Sequence, residues 1–76
     1  MDRFEEMRNF VRIVERRSFT KAATDLQIPR ATMTNAIQRL EERLGTRLLN
    51  RTTRQVRPTL DGEAYYKRCI RILGEL

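Results

Sequence analysis

The chain opens with apolar side chains at helical spacing, which predict a helix from Asp2 to Arg16. Asp2 is followed by Glu5 three residues later, a spacing that fits a capping box at the helix start. Ile13 falls at the edge of the predicted buried stripe, whose other members are Phe4, Met7, Phe10, Val11 and Val14. We therefore expect this first helix to supply core packing.

A short helix, a tight turn and a longer helix are predicted between Ser18 and Leu44. Ser18 suits the N-cap of the short helix because its hydroxyl can accept a bond from a first-turn N–H group. Pro29 breaks that helix and suits the start of the next one. Such a helix–turn–helix is a common way to present one helix to the DNA major groove.

The longer helix has two contrasting faces. An apolar face is formed by Met33, Ile37, Leu40 and Leu44. The opposite face carries Ala31, Asn35, Gln38 and Glu42, with Thr34 and Arg39 on its flanks and Arg30 near its start. Amides can pair with adenine, Thr can touch a thymine methyl, and Arg can reach guanine or phosphate. The face therefore fits either base reading or a solvated helix surface.

A basic segment follows Gly45, which is expected to end the longer helix. Two short extended runs around Arg51 and Arg54 predict a small β-hairpin. No acidic residue lies within residues 43–57, which contain five arginines: Arg43, Arg47, Arg51, Arg54 and Arg57. A basic hairpin beside a helix–turn–helix fits a DNA-binding wing on the backbone or in the minor groove. The alternative is a solvated charged loop.

A last helix is predicted from about Thr59, which suits its N-cap position. Its apolar seam contains Tyr65, Cys69, Ile72, Leu73 and Leu76. A seam that stays apolar to the last residue leads us to expect a longer protein or a partner helix. Cys69 fits packing better than reactivity, because no neighbouring residue is evident as its base.

Composition narrows the functional classes. The 76 residues make one small domain with sixteen basic and ten acidic side chains, a net charge of +6. This balance favours nucleic acid or an anionic surface as partner. The chain has no His, one Cys and no Gly-rich phosphate loop, so we expect no enzyme activity, no cofactor and no metal site. The lone Cys and the lack of a signal-peptide pattern or a long apolar run suggest a cytoplasmic protein without a membrane segment.

Several of these segments together resemble the N-terminal DNA-binding domain of a LysR-type transcriptional regulator. The resemblance rests on residues 18–23, 37–45 and 47–52, and on Thr59 with Gly62, and it extends over essentially the whole chain. It implies a mainly α fold, with a winged helix–turn–helix of three helices and a short β-hairpin in residues 1–58. A linker helix that pairs two subunits would begin in residues 59–76.

The resemblance further implies a homodimer on an inverted-repeat operator in duplex DNA, in a bacterial protein associated with the nucleoid. A small-molecule effector would bind a C-terminal domain that lies outside this chain. The candidate DNA-binding residues are Ser18, Thr20, Arg30, Ala31, Thr32, Thr34, Asn35, Gln38, Arg39, Arg51, Thr52, Thr53 and Arg54. The candidate dimerisation residues are Tyr65, Cys69, Ile72, Leu73 and Leu76.

The recognition helix departs from the family pattern at two places. The family usually has Ser-Gln where this chain has Pro29-Arg30, and Val-Ser-Arg where it has Met33-Thr34-Asn35. Arg30 and Asn35 therefore offer bases a different set of donors. The main alternative function is a winged-helix protein-interaction module that dimerises through its last helix. A membrane-surface peptide fits less well, because the basic residues cluster on the hairpin.

Overall fold

The structure, a computed structural model, describes residues 2–52 and 55–74, with the exception of the side chain of residue 52. The elements in chain order are α1 Arg3–Arg16, α2 Phe19–Leu26, α3 Arg30–Leu44, β1 Leu49–Thr52, β2 Gln55–Pro58 and α4 Leu60–Gly74. These elements confirm the predicted winged helix–turn–helix followed by a further helix. Among the described helices, none is both long enough and apolar enough to cross a membrane.

The first helix begins as predicted, but its buried face is rotated slightly from the predicted one. Asp2 is its N-cap and accepts a hydrogen bond from the Glu5 N–H at 2.8 Å. Phe10 and Ile13 are completely buried, whereas Phe4 is 41% exposed. The prediction that placed Phe4 in the stripe and Ile13 at its edge was therefore wrong. The reason is that α2, α3 and α4 all contact α1, and their common contact lies along the Phe10–Ile13 side.

The turn between α2 and α3 follows from local backbone chemistry. Ser18 caps α2 and accepts from the Lys21 N–H at 3.1 Å. Gln27 ends α2 in the left-handed region, with φ of 58°, and its N–H bonds the carbonyl groups of the last turn. Pro29 then occupies the N-cap of α3. The prediction of a helix break at this proline is confirmed.

The core lies where α1, α2 and α3 meet. Met33, Ile37 and Leu40 of α3 are completely buried, as the periodicity predicts. Leu44 was predicted on the same buried face but is 44% exposed. It stands in the last turn, just before Gly45, whose φ of 69° ends the helix. The chain turns away there, so the protein no longer covers this side of α3.

The wing is a two-stranded antiparallel hairpin that stands beside the helices. Leu49 pairs with Pro58 and Arg51 pairs with Val56. Leu48 and Leu49 are buried in the common core, so the base of the hairpin is anchored to the helices.

The last helix starts against the base of the wing. Thr59 accepts from the Gly62 N–H at 2.9 Å, which confirms it as the N-cap, and its hydroxyl donates to the Arg47 carbonyl at 2.7 Å. The Thr59 N–H donates to the Leu48 carbonyl at 3.0 Å. A Cβ atom at Gly62 would collide with that same carbonyl. The close approach of α4 to the wing therefore requires glycine at this position.

Candidate nucleic-acid interface

The face of α3 opposite the core is open to solvent. Its exposed residues are Arg30, Ala31, Thr32, Asn35, Gln38 and Arg39, while Thr34 is half-buried at the flank. The complete burial of Met33, Ile37 and Leu40 fixes the rotation of the helix, so these polar groups form one continuous outward surface. Pro29 provides no side-chain cap, so it leaves the first-turn N–H groups of α3 for another acceptor. This end of the helix suits an anion.

The start of α2 contributes two further candidate positions. Thr20 is exposed. Ser18 is half-buried, and its oxygen is engaged as the N-cap of α2. The hydroxyl proton of a capping serine remains able to donate. Ser18 therefore caps α2 and keeps a hydroxyl donor that suits an anion.

One arginine of the wing packs against the protein and is also exposed to solvent. The Arg51 guanidinium lies over the Phe19 ring, 4.5 Å from the ring centroid, which is cation–π distance. Stacking uses the face of the guanidinium and leaves its N–H groups at the edge free to bond. Arg51 can thus hold the wing to α2 and still meet an anion. The predicted contacts from Thr53, Arg54 and the Thr52 side chain lie outside the described residues.

One member of the predicted basic cluster is not free for DNA. Arg43 donates to both carboxylate oxygens of Glu6, at 2.7 and 3.0 Å. The bond to Glu6 raises the pKa of the Arg43 guanidinium above its ordinary value. Since Glu6 is almost completely buried, this pair ties α3 to α1. The sequence analysis, which counted Arg43 in the basic cluster, therefore overestimated the positive charge available to DNA.

The predicted dimerisation seam on α4 divides into two parts. Cys69 is completely buried in this chain, and the Tyr65 ring packs edge-on against Phe10 with centroids 5.2 Å apart. Burial raises the pKa of Tyr65 to about 12 and also raises the pKa of the Cys69 thiol. The assignment of Cys69 to a subunit interface was wrong, because α1 already covers it. Ile72 and Leu73 are half-buried, and Leu76 lies outside the described residues.

Three acidic residues near this surface have structural roles that the sequence reasoning missed. Glu41 of α3 accepts from the backbone N–H groups of Leu48 and Leu49. Asp25 of α2 forms an ion pair with Arg16, whose Nε lies 3.0 Å from a carboxylate oxygen. Glu6 alone left a signal in the sequence, since it precedes Phe10 and Ile13 at helical spacing. An acid on a buried stripe indicates a paired cation.

These features define the chain as a winged helix–turn–helix domain with an exposed polar helix. Residues 4–63 match the family described as bacterial regulatory helix-turn-helix proteins, lysR family. The chain therefore belongs to the LysR family, as its sequence motifs predicted.

Two curated relatives illustrate the match. The transcriptional regulator CrgA of Neisseria meningitidis is 46% identical over 72 residues, covering 95% of this chain and 24% of CrgA. The transcriptional activator AaeR of Escherichia coli is 40% identical over 76 residues, covering all of this chain and 25% of AaeR. The chain thus spans about a quarter of the length of these relatives. Both relatives are named as transcriptional regulators.

Two solved structures share the fold over almost the whole chain. The DNA-binding domain of BenM in complex with catB site 1 DNA has a TM-score of 0.93 and 41% identity, covering 99% of this chain and 82% of that one. The DNA-binding domain of CbnR in complex with DNA has a TM-score of 0.90 and 31% identity, covering 97% of this chain and 84% of that one. The predicted fold class is therefore confirmed.

Proposed function

We propose that this chain binds duplex DNA as the DNA-binding domain of a LysR-type regulator, with α3 in the major groove. The observation that carries the proposal is the outward face of α3, where Asn35 and Gln38 are exposed while Met33, Ile37 and Leu40 on the opposite face are completely buried. Paired amide donors and acceptors match the edge of adenine in that groove. The solved complexes of the BenM and CbnR DNA-binding domains with DNA support DNA binding by this chain.

The wing supplies the second part of the proposed contact. Arg51 and Arg57 are exposed on its two strands, and the edge of the Arg51 guanidinium is available to phosphate or to a narrow minor groove. The contact from Arg54 remains a prediction from the sequence. We assign base reading to Arg30, Thr34, Asn35 and Gln38, and contacts to phosphate or a narrow minor groove to Arg51 and Arg54.

Dimer formation through α4 is the next part of the proposal. A single copy of the chain leaves Ile72 and Leu73 half-buried and Ile70 44% exposed. This residual apolar surface suits a second α4 helix. We therefore expect two copies on an inverted repeat, with half-sites about one helical turn apart or a multiple of that spacing.

We further propose that residues 1–58 form the DNA-binding unit and that residues 59–76 begin the dimerisation helix. The curated relatives are about four times longer, since the chain covers 24% of CrgA and 25% of AaeR. An effector site would then belong to the remaining part of a longer regulator.

Titration of random and operator-selected duplexes at two salt concentrations tests DNA binding. We expect selection from a random pool to enrich an inverted repeat, with affinity falling steeply as salt increases. Failure to bind any duplex at low salt would instead favour the protein-interaction module. Analytical ultracentrifugation on the selected palindrome tests the dimer, and a strictly one-to-one complex would exclude it.

A further inference from the structure

The turn between the recognition helix and the wing is organised by one residue of α3. The Glu41 carbonyl accepts from the Gly45 N–H at 2.8 Å and from the Thr46 N–H at 3.2 Å. One oxygen of its carboxylate accepts from the Leu48 N–H at 2.8 Å and from the Leu49 N–H at 3.2 Å. Glu41 therefore receives hydrogen bonds from both ends of the connection that joins α3 to β1.

The carboxylate of Glu41 reaches the wing at its first residue. Leu49 begins β1, and both Leu48 and Leu49 are buried, so their N–H groups need a protein acceptor. Bonds from backbone N–H groups to a charged carboxylate are among the stronger ones in proteins. A side chain of α3 itself therefore anchors the backbone at the start of β1.

The neighbouring Glu42 provides a natural comparison. It is exposed in the same last turn of α3, whereas Glu41 is half-buried. Both carboxylates carry a negative charge that DNA phosphate would repel. Loss of either charge should therefore strengthen DNA binding, unless the carboxylate has another role.

We infer that Glu41 is a positioning residue, which holds the wing at the distance from α3 that lets both elements engage one DNA site. This inference rests on the proposed DNA-binding function. Arg51 stands two residues after Leu49 on the same strand. A shift at the start of β1 would carry Arg51 away from its place over Phe19 and beside the DNA. The role of Glu41 can therefore be measured by how much Arg51 contributes to DNA affinity when Glu41 is present or replaced.

The experiment compares matched variants of the 76-residue chain on a selected duplex. Glu41→Ala and Glu42→Ala each remove one negative charge. Glu41→Asp and Glu42→Asp shorten the side chain but retain the charge. We expect Glu42→Ala to bind as tightly as the unmodified chain or tighter. Glu41→Ala should bind at least about fivefold more weakly despite its lower repulsion. Thermal unfolding of every variant checks that the folded protein is compared.

A double-mutant cycle with Arg51→Gln separates positioning from a loss of stability alone. We expect Arg51→Gln to weaken binding in the unmodified and Glu42→Ala backgrounds, and to have almost no further effect in Glu41→Ala. Equal effects of Arg51→Gln in all three backgrounds would overturn the inference. If Glu41→Ala does not fold, Glu41→Asp decides: weaker binding than Glu42→Asp supports the inference, and equal binding overturns it. Failure of the unmodified chain to bind DNA would refute the proposed function itself and is distinct from these outcomes.

Discussion

The helices α3 and α4 have equal lengths of 15 residues but use their surfaces differently. The apolar side chains in the middle of α3 are completely buried by this chain, and its outer face is polar. In α4 only Gly62 and Cys69 are buried, and aliphatic side chains remain partly exposed. A helix whose apolar face is covered can devote its outer face to a polar ligand. A helix with uncovered apolar surface is suited to another protein surface.

The largest expected effect tests the buried side of α3. Leu40→Ala should lower the free energy of unfolding by about 2–5 kcal/mol, because Leu40 is completely buried and the change leaves a cavity. The control is Leu44→Ala on the same face of α3, where 44% exposure predicts a much smaller loss. Chemical denaturation measures both. Normal stability of Leu40→Ala together with lost DNA binding would mean that the faces of α3 are reversed.

The next prediction tests the outer face of α3. Gln38→Ala should weaken binding to the preferred duplex by about 1–3 kcal/mol and relax selectivity at one position of each half-site, because a paired contact to a base is lost. Stability should change little, since Gln38 is exposed. Competition between cognate and scrambled duplexes measures the selectivity. Unchanged selectivity with a changed salt dependence would assign Gln38 to the backbone.

Periodicity was sufficient to predict these two helices and the direction of the buried face of α3. It could not predict how far each face is covered, because coverage depends on elements distant in the sequence. Leu44 fits the stripe of α3 but lies beyond the reach of the core, and Cys69 fits an interface seam but is covered by α1. The bond between Glu6 and Arg43 joins residues 37 positions apart, so no local pattern reveals the pair.

The candidate site, like the fold, could be predicted only in part from the sequence. The exposed face of α3 followed from helical spacing alone, and the structure presents those residues together. The contact of Arg51 with Phe19 and the bonds of Glu41 to the wing could not be predicted, because they depend on where the hairpin packs. The sequence alone is compatible with acids that only cap helices or remain solvated. Glu41 shows that an acid beside a basic wing can instead hold that wing in place.

A pH titration tests the covered part of α4. Burial raises the pKa of Tyr65 from its ordinary value of 10.0 to about 12, so the folded state favours the neutral phenol. The stabilisation is complete below pH 10 and should be lost as the pH rises toward 12, where the unfolded chain ionises first. The loss should be well below the ~2.7 kcal/mol that two pKa units represent, because the ring is only half-buried.

The control for this titration is Tyr65→Phe, which removes the titrating group and retains the ring. Its unfolding free energy should decline less between pH 10 and 12 than that of the unmodified chain. An identical decline in both proteins would show that the phenol of Tyr65 is solvated in the folded state, and would extend the uncovered surface of α4 to this residue.

The smallest expected effect concerns Arg51. It tests whether the wing contacts DNA together with the polar face of α3. If its edge contacts one phosphate in each half-site, Arg51→Gln should lower the slope of log affinity against log salt by about one unit per half-site. Arg51→Lys keeps the charge and should keep the slope, but its compact ammonium cannot stack on Phe19 as a planar guanidinium does. Its binding should therefore weaken by about 0.5–1 kcal/mol.

Phe19→Leu supplies the reciprocal control, since it retains an apolar side chain at this buried position and removes the ring beneath the guanidinium. It should reproduce the modest loss of Arg51→Lys and leave the salt slope unchanged. An unchanged slope in Arg51→Gln would mean that Arg51 only supports the wing from within the protein. DNA binding would then depend on the outer face of α3 and on wing positions other than Arg51. Arg51 would in that case lie outside the DNA-contacting surface.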